Sequence, residues 1–218
     1  LSYFQPYSNT YKPLEELKKI YAEALEGTDS RQHTSQRRND MTSNALEGMS
    51  FRAKECAEME SMPSKTVEKP TIIGIVIGTR PDLIDEGILE HLKEIQKTHY
   101  VMLEYGVESV YDETLKRVNR GHDFATAERA IRLTADYGIP CGAHFIFGLP
   151  GETKAMMLAS ADIISQLPLT TVKFHQLQIF KDTPMAEEYH TQPEHFHLFD
   201  LEEYIDFVID FAERLNPN

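Results

Sequence analysis

The sequence predicts an α/β protein built on a parallel sheet, and three observations lead to that fold class. Apolar runs that suit strands alternate about five times with segments of helical periodicity. One run, Thr71–Gly78 (TIIGIVIG), is almost continuously apolar, which is typical of a strand covered on both faces. Glycines and polar residues stand where the runs end. About five units are too few to close an eight-stranded barrel. We therefore expect an open or partial β/α barrel, with a doubly wound open sheet as the alternative.

The chain opens with a predicted strand and a predicted amphipathic helix. Leu1–Tyr7 is rich in aromatic residues and suits a short strand. Pro13 stands at a favourable first helical position, and apolar residues then recur at helical spacing over Pro13–Glu26. Gly27 is expected to end this helix.

The next segment differs in composition and is predicted to be a polar insertion (28–69). Thr28–Lys69 is rich in Ser, Thr, Arg, Glu and Asn, and only Ala45–Glu60 has the spacing of a weak helix. Its basic residues suit a docking patch or, more simply, a solvated loop. From this change in composition we expect an insertion within a single truncated barrel domain spanning residues 1–218, although so long a structureless loop is unusual inside a compact domain.

Strands and helices alternate regularly after the insertion. The further strands are predicted over Tyr100–Val107, Ile139–Phe147 and Thr171–Ile179. Helices are expected after the capping residues Asp85 and Asp123, and over Asp112–Val118, Glu152–Leu167 and Asp200–Leu215.

Composition excludes several classes of protein. The formal net charge of −13 argues against a general nucleic-acid surface and against binding to an anionic membrane. No apolar run approaches the roughly 20 residues that span a bilayer, and no signal peptide is visible. The two cysteines, Cys56 and Cys141, exclude a disulfide scaffold and have no metal-ligand spacing. Because so few cysteines suit a reducing compartment, we expect a cytoplasmic protein.

Candidate site residues stand at the carboxyl ends of the predicted strands, where β/α barrels bind their ligands. Side chains alternate between the two faces of a strand. Glu104, within the predicted strand Tyr100–Val107, and Glu108, directly after it, therefore lie on the same face, which is the less apolar one. A buried carboxylate needs donors, which a ligand or an internal ion pair with Lys173 would supply.

Arginines and a histidine extend this candidate site. Arg80 and Arg120 stand at strand ends and suit two-point capture of a carboxylate, although a surface ion pair is the simpler role for a lone arginine. His144 lies inside a predicted strand, where a histidine is more often a satisfied core residue than a ligand. Lys173 and His175 share a face of a later strand.

Five stretches together resemble the radical S-adenosylmethionine (radical SAM) superfamily. The branch is the uncharacterised bacterial group related to the Elongator catalytic subunit and to oxygen-independent coproporphyrinogen oxidase. The stretches are YFQPYSNTY (Tyr3–Tyr11), IGTRPD (Ile77–Asp82), YVMLEYGVESVYDETLKRVNRGHDF (Tyr100–Phe124), HFIFGLPGET (His144–Thr153) and VKFHQLQIFKDTPM (Val172–Met185).

The resemblance implies a partial (β/α)6 TIM-like barrel that binds SAM. A [4Fe–4S] cluster, held by a CxxxCxxC loop, would reduce SAM to a 5′-deoxyadenosyl radical that abstracts hydrogen from a substrate. SAM-binding positions are implied at the ends of successive strands, and no catalytic residue or metal ligand is assigned. These positions are Gln5, Tyr7, Asn9, Thr79, Arg80, Glu108, Arg120, His144 and Gln176.

The sequence departs from the family pattern because no CxxxCxxC is present. We expect a fragment that lacks the first β/α unit and is inactive alone, the cluster belonging to the full-length enzyme. The substrate is not identified. The alternatives are a non-catalytic SAM-binding or scaffold module and part of a tRNA-modifying enzyme, the latter disfavoured by the acidic charge. An unpaired edge at the first strand is expected to allow self-association.

Overall fold

The computed structural model describes residues 2–4, 10–26 and 72–215. In this part of the chain five strands form one parallel sheet, and their order in space equals their order in sequence. A doubly wound sheet reverses its strand order at a switch point, whereas the wall of a β/α barrel runs sequentially. The partial barrel is therefore confirmed over the alternative. The strands are β1 (Ser2–Phe4), β2 (Gly74–Thr79), β3 (Tyr100–Glu108), β4 (Cys141–Phe147) and β5 (Thr171–Gln176).

Seven α-helices connect or follow these strands within the described residues. Two short 3-10 helices, Pro81–Leu83 and Pro193–His195, lie in the connections. The helices are α1 (Leu14–Leu25), α2 (Glu86–Gln96), α3 (Asp112–Arg117), α4 (Phe124–Asp136), α5 (Lys154–Ile164), α6 (Pro184–Thr191) and α7 (Leu201–Arg214).

Side-chain caps fix where most of these helices begin. The carboxylates of Asp85, Asp123 and Asp200 each accept a hydrogen bond from the backbone N–H of the residue three positions later in the chain, as the sequence predicts. Thr153 caps α5 in the same way, so that helix begins at Lys154 rather than at Glu152. Helix α6, which follows the Thr183 cap, was not predicted, because its eight residues carry no buried apolar stripe.

The two faces of the sheet differ in chemistry. On β3, alternate residues Val101, Leu103, Tyr105 and Val107 are fully buried against the helices. The pairing register continues this face through β2 and β4, and the helices contribute Leu17, Leu89, Ile131, Met157 and Phe207 to the same core. The opposite face of β3, called the inner face here, carries Met102, Glu104 and Gly106. Burial of each large side chain on the helix-facing side stabilises the folded state by about 1.5–3 kcal/mol. The polar residues of the strand therefore lie on the inner face.

Aromatic packing holds α7 against the end of the sheet. The ring of Phe147 on β4 lies 4.7 Å from Phe207 and 4.9 Å from Phe211, measured between centroids. The ring of Phe174 on β5 packs against Phe211, at 4.9 Å, and against Phe147, at 5.4 Å. These contacts fix the orientation of β5, whose alternate residues Lys173 and His175 consequently face the inner side.

Several expectations fall on residues outside the described part. These are the structure of the insertion at 28–69 and the positions of Gln5, Tyr7 and Asn9. Within the described residues β1 pairs with β2 alone, and self-association through its other edge stays a prediction. No helix in the described ranges has the length and apolar character needed to cross a bilayer.

Candidate functional site

Charged side chains converge beyond the carboxyl ends of β2 and β3. Arg80 follows β2, Glu108 ends β3, and Arg120 arrives from the loop after α3. Arg120 Nη2 lies 3.3 Å from Glu108 Oε1 and donates to the carbonyl oxygen of Gly106 at 2.5 Å. Asp82 and His122 interact electrostatically with these arginines. We call Arg80, Asp82, Glu108, Arg120 and His122 the rim cluster.

A β-bulge sets the direction of Glu108. The register between β3 and β4 shifts between Gly106 and Glu108, so that Gly106 pairs with His144 and Glu108 pairs with Phe145. Glu108 has φ of 73°, in the left-handed region that non-glycine residues rarely adopt. Such a conformation costs on the order of 1–3 kcal/mol and persists where the surrounding structure demands it. The bulge therefore turns this carboxylate toward Arg120, as bulges beside functional sites often do.

Two glycines allow the arginines to approach the backbone closely. A Cβ on Gly106 would lie 2.5 Å from Arg120 Nη2 and 2.6 Å from Glu108 Oε1. A Cβ on Gly121 would lie 2.8 Å from Arg80 Nη2. The Arg120 guanidinium thus explains the glycine of the EYGVE string. The glycine of the NRGH string, Gly121, is required both by the Arg80 guanidinium and by its own φ of 85°, in the left-handed region that favours glycine.

Arg80 is held in place by a neighbouring carboxylate. Its Nε and Nη2 donate to the two oxygens of Asp82 at 2.9 and 2.7 Å. Burial acts to raise the pKa of Asp82, but these hydrogen bonds and the charge of Arg80 outweigh it and lower the pKa. Asp82 therefore stays ionised and fixes one guanidinium at the rim.

The attraction between Glu108 and Arg120 does not fully offset the cost of burying their two charges. Burial raises the pKa of Glu108 even though the charge of Arg120 opposes the shift. Burial likewise lowers the pKa of Arg120, with Glu108 opposing. The Nε of Arg120 is buried and has no hydrogen-bond partner. Orphaned and perturbed groups of this kind at strand ends are typical of a site that receives a ligand.

A second polar cluster lies on the inner face of β3, β4 and β5. Glu104 Oε2 accepts from Lys173 Nζ at 2.8 Å and lies 3.3 Å from His144 Nε2. The imidazole rings of His144 and His175 lie 5.3 Å apart between centroids. We call Glu104, His144, Lys173 and His175 the inner-face cluster. It contains the ion pair between Glu104 and Lys173 that the sequence offered as an alternative to ligand binding.

The other predicted site residues occupy different places. Thr79 lies on the helix-facing side of β2, where its hydroxyl is 2.5 Å from that of Thr10 and both are buried. Gln176 shares the helix-facing register with Phe147, and its Nε2 donates to the carbonyl oxygen of Phe199 at 2.6 Å. The structure thus joins Arg80, Glu108 and Arg120 at the rim, with His144 beside Gly106 on the inner face.

Sequence reasoning did not select Asp82 and His122. Both lie in strings, GTRPD and NRGH, whose arginines were selected. Their spacing of two residues from Arg80 and Arg120 is the signal that could have identified them.

The loop after β4 is tied to the loop after β3. The buried carboxyl of Glu152 accepts from the Ser109 hydroxyl and is also hydrogen-bonded by Thr114. Burial raises the pKa of Glu152, and these two hydrogen bonds oppose the shift. An open groove of about 740 Å³ lies beside this contact, between α3 and Pro150–Gly151, and it does not include the rim cluster.

Family models match almost the whole chain. The model of the radical SAM superfamily matches residues 5–164, and that of the radical SAM C-terminal domain matches residues 169–218. An uncharacterised protein of Methanocaldococcus jannaschii is 32% identical over 216 residues, which cover 99% of this chain and 53% of that protein. Protein YhcC of Escherichia coli is 37% identical over 134 residues, covering 61% and 43% respectively. The chain therefore spans about half the length of the curated relatives it matches.

Solved structures agree with the fold. Methanocaldococcus infernus Elp3 with an N-terminal deletion has a TM-score of 0.57 at 27% identity, over 68% of this chain and 34% of that one. Coproporphyrinogen III oxidase from Escherichia coli, a radical SAM enzyme, has a TM-score of 0.50 at 13% identity, over 98% of this chain and 50% of that one. The second likeness bears on the fold alone.

Proposed function

The chain belongs to the radical SAM superfamily, and we propose that its rim cluster binds SAM for the reductive cleavage that starts radical chemistry on a substrate. The single observation that carries this proposal is the Glu108–Arg120 pair. The side chains of Arg120 and Glu108 are partly buried at the end of the central strand β3, 21% and 19% exposed, and the buried Nε of Arg120 lacks a hydrogen-bond partner.

The chemistry of the cluster fits that of SAM. The methionyl carboxylate of SAM suits the guanidinium of Arg120, because arginine binds carboxylates at two points. The ribose hydroxyls are donors that suit the carboxylate of Glu108. His144 stands beside Gly106 in the sheet and is the candidate for a further contact. When bound, SAM would supply the group that abstracts hydrogen from the substrate. The role of these residues is to bind and orient SAM.

The cysteines of this chain do not fit a [4Fe–4S] cluster. Three thiolates in close spacing are needed to match a CxxxCxxC loop, and the sequence has two cysteines. Cys141 is buried at the start of β4, and burial raises the pKa of its thiol to about 11, which disfavours a thiolate. The proposed reaction therefore needs thiolates other than these, and no step through a cluster is assigned to the described residues.

A SAM titration of two arginine variants tests the proposal. We expect Arg120→Met to weaken SAM binding about tenfold or more, the usual effect of losing a hydrogen bond to a charged group. Arg132→Met is the matched control, because Arg132 also pairs with a glutamate, at 2.8 Å on the exposed face of α4. Calorimetry or equilibrium dialysis would measure both affinities. Equal SAM affinity in the two variants would refute the proposal.

A further inference from the structure

The inner-face cluster brings acid, base and ammonium groups together on three neighbouring strands. Glu104 lies on β3, His144 on β4, and Lys173 and His175 on β5. The register pairs His144 with Lys173 and with Gly106, the glycine under the Arg120 guanidinium. The cluster therefore adjoins the rim cluster on the same face of the sheet.

The carboxylate of this cluster is already compensated. Only 6% of the Glu104 side chain is exposed, and one of its oxygens lies within reach of both Lys173 and His144. A buried carboxylate is retained where such donors surround it. Glu104 thus anchors the ammonium of Lys173 and presents little of its own charge to the inner side.

The remaining surface of the cluster is rich in donors. The side chain of Lys173 is 44% exposed, and its ammonium is anchored by Glu104 on the inner face. His175 is exposed beside it and carries a further ring N–H. Burial lowers the pKa of His144. The charge and hydrogen bond of Glu104 oppose this shift, whereas Lys173 and His175 add to it, and the net lowering favours the neutral imidazole. An anchored ammonium beside an imidazole N–H is complementary to anionic oxygens.

We propose that Lys173 and His175 bind an anionic oxygen group, a carboxylate or a phosphate, of the substrate. Glu104 acts as the positioning residue that fixes the ammonium. The assignment to the substrate rests on the proposed function, because the cluster adjoins the proposed SAM site. It places a carboxylate- or phosphate-bearing substrate on the inner face of β4 and β5.

Nuclear magnetic resonance of the histidine side chains tests this site with two simple probes. Inorganic phosphate and acetate would be titrated separately at constant ionic strength, while the imidazole C–H signals of His144 and His175 are followed. We expect saturable shifts of these signals with at least one anion. A response to phosphate alone assigns a phosphate group and a response to acetate alone assigns a carboxylate, while a response to neither overturns the proposal.

Matched lysine variants locate the bound anion. Lys173→Met is expected to weaken anion binding about tenfold or more. Lys154→Met is the control, because the Lys154 side chain is similarly exposed, at 39%, and also pairs with a glutamate, Glu203, 3.4 Å away between α5 and α7. The double variant Glu104→Gln/Lys173→Met removes both charges together, so a loss of anion binding there does not reflect an unpaired buried carboxylate. Equal weakening by Lys154→Met, or full anion binding in the double variant, contradicts the site.

The same samples separate this inference from the proposed function. We expect Arg120→Met to weaken SAM binding about tenfold or more while it keeps the anion-dependent imidazole shifts. Loss of those shifts in Arg120→Met, with the shifts retained in Lys173→Met, would place the anion at the rim and overturn the inference. Anion binding at Lys173 in a protein that binds no SAM would overturn the proposed function and leave the anion site standing.

Discussion

At the scale of single residues, the backbone conformation of Glu108 and the absence of a side chain at Gly106 both allow the Arg120 guanidinium to bind at the end of β3. The left-handed φ of Glu108 turns its carboxylate toward Arg120, and the missing Cβ of Gly106 lets the guanidinium reach a backbone carbonyl oxygen. Neither feature adds to the core, whose large side chains lie on the other face of β3. The proposed SAM site accounts for both features, because it needs the Arg120 guanidinium at this position.

Replacing Gly106 with alanine should separate these two roles. The new Cβ would meet the ends of two flexible side chains, which can move aside, so we expect a change in unfolding free energy within about 1 kcal/mol. The displaced Arg120 should lower SAM affinity about tenfold. Urea unfolding and a SAM titration measure the two effects.

The control for that variant is Gly87→Ala on helix α2, where the added Cβ makes ordinary contacts of 3.4 Å or more. It should bind SAM as the unaltered protein does. Strong destabilisation by Gly106→Ala, or unchanged SAM affinity, would contradict this interpretation of Gly106.

At the scale of elements, short polar contacts between loops hold the carboxyl edge of the sheet together. Glu152 lies just before α5 and binds Ser109 after β3 and Thr114 on α3. The Ser109 hydroxyl in turn accepts from the backbone N–H of Tyr111. This contact joins the connections that follow β3 and β4, and Ser109 directly follows Glu108 of the rim cluster.

The protonation of Glu152 gives this contact a predictable pH dependence. Because its pKa is raised in the folded protein, the folded state holds the proton more tightly than the unfolded state. Its contribution to stability is present below the usual glutamate pKa of 4.5 and is lost as pH rises through the raised value. Glu152→Gln should remove that loss, so the variant gains stability relative to the unaltered protein as the pH rises above 4.5.

Urea unfolding at several pH values would measure this difference. Glu94→Gln, at an exposed pair with Lys97, is the control and should show no comparable gain. Glu152→Ala should cost about 1–3 kcal/mol, because it leaves two hydroxyls without their partner. A pH profile of Glu152→Gln that parallels that of the unaltered protein would contradict the account.

At the scale of the whole molecule, periodicity predicted the architecture and long-range geometry decided the site. The apolar run TIIGIVIG and the alternation in the β3 segment located strands, and the capping residues Asp85, Asp123 and Asp200 located helices. These patterns are local, because they reflect burial and capping within each element. Strand order, which excluded the doubly wound sheet, needed coordinates. The bulge at Glu108 is a product of cross-strand register, and the placement of Thr79 and Gln176 on the helix-facing side depends on where each strand ends. Local sequence patterns contain neither the cross-strand register nor the points where the strands end.

The central claim is that the Glu108–Arg120 pair binds SAM, and a double-mutant cycle of SAM affinity tests it most directly. Glu108→Gln and Arg120→Met should each weaken SAM binding about tenfold or more. The double variant should bind little more weakly than the worse single variant, because both residues contact each other and the same ligand. SAM affinity that stays unchanged in both single variants, or effects that add fully in the double variant, would contradict the account.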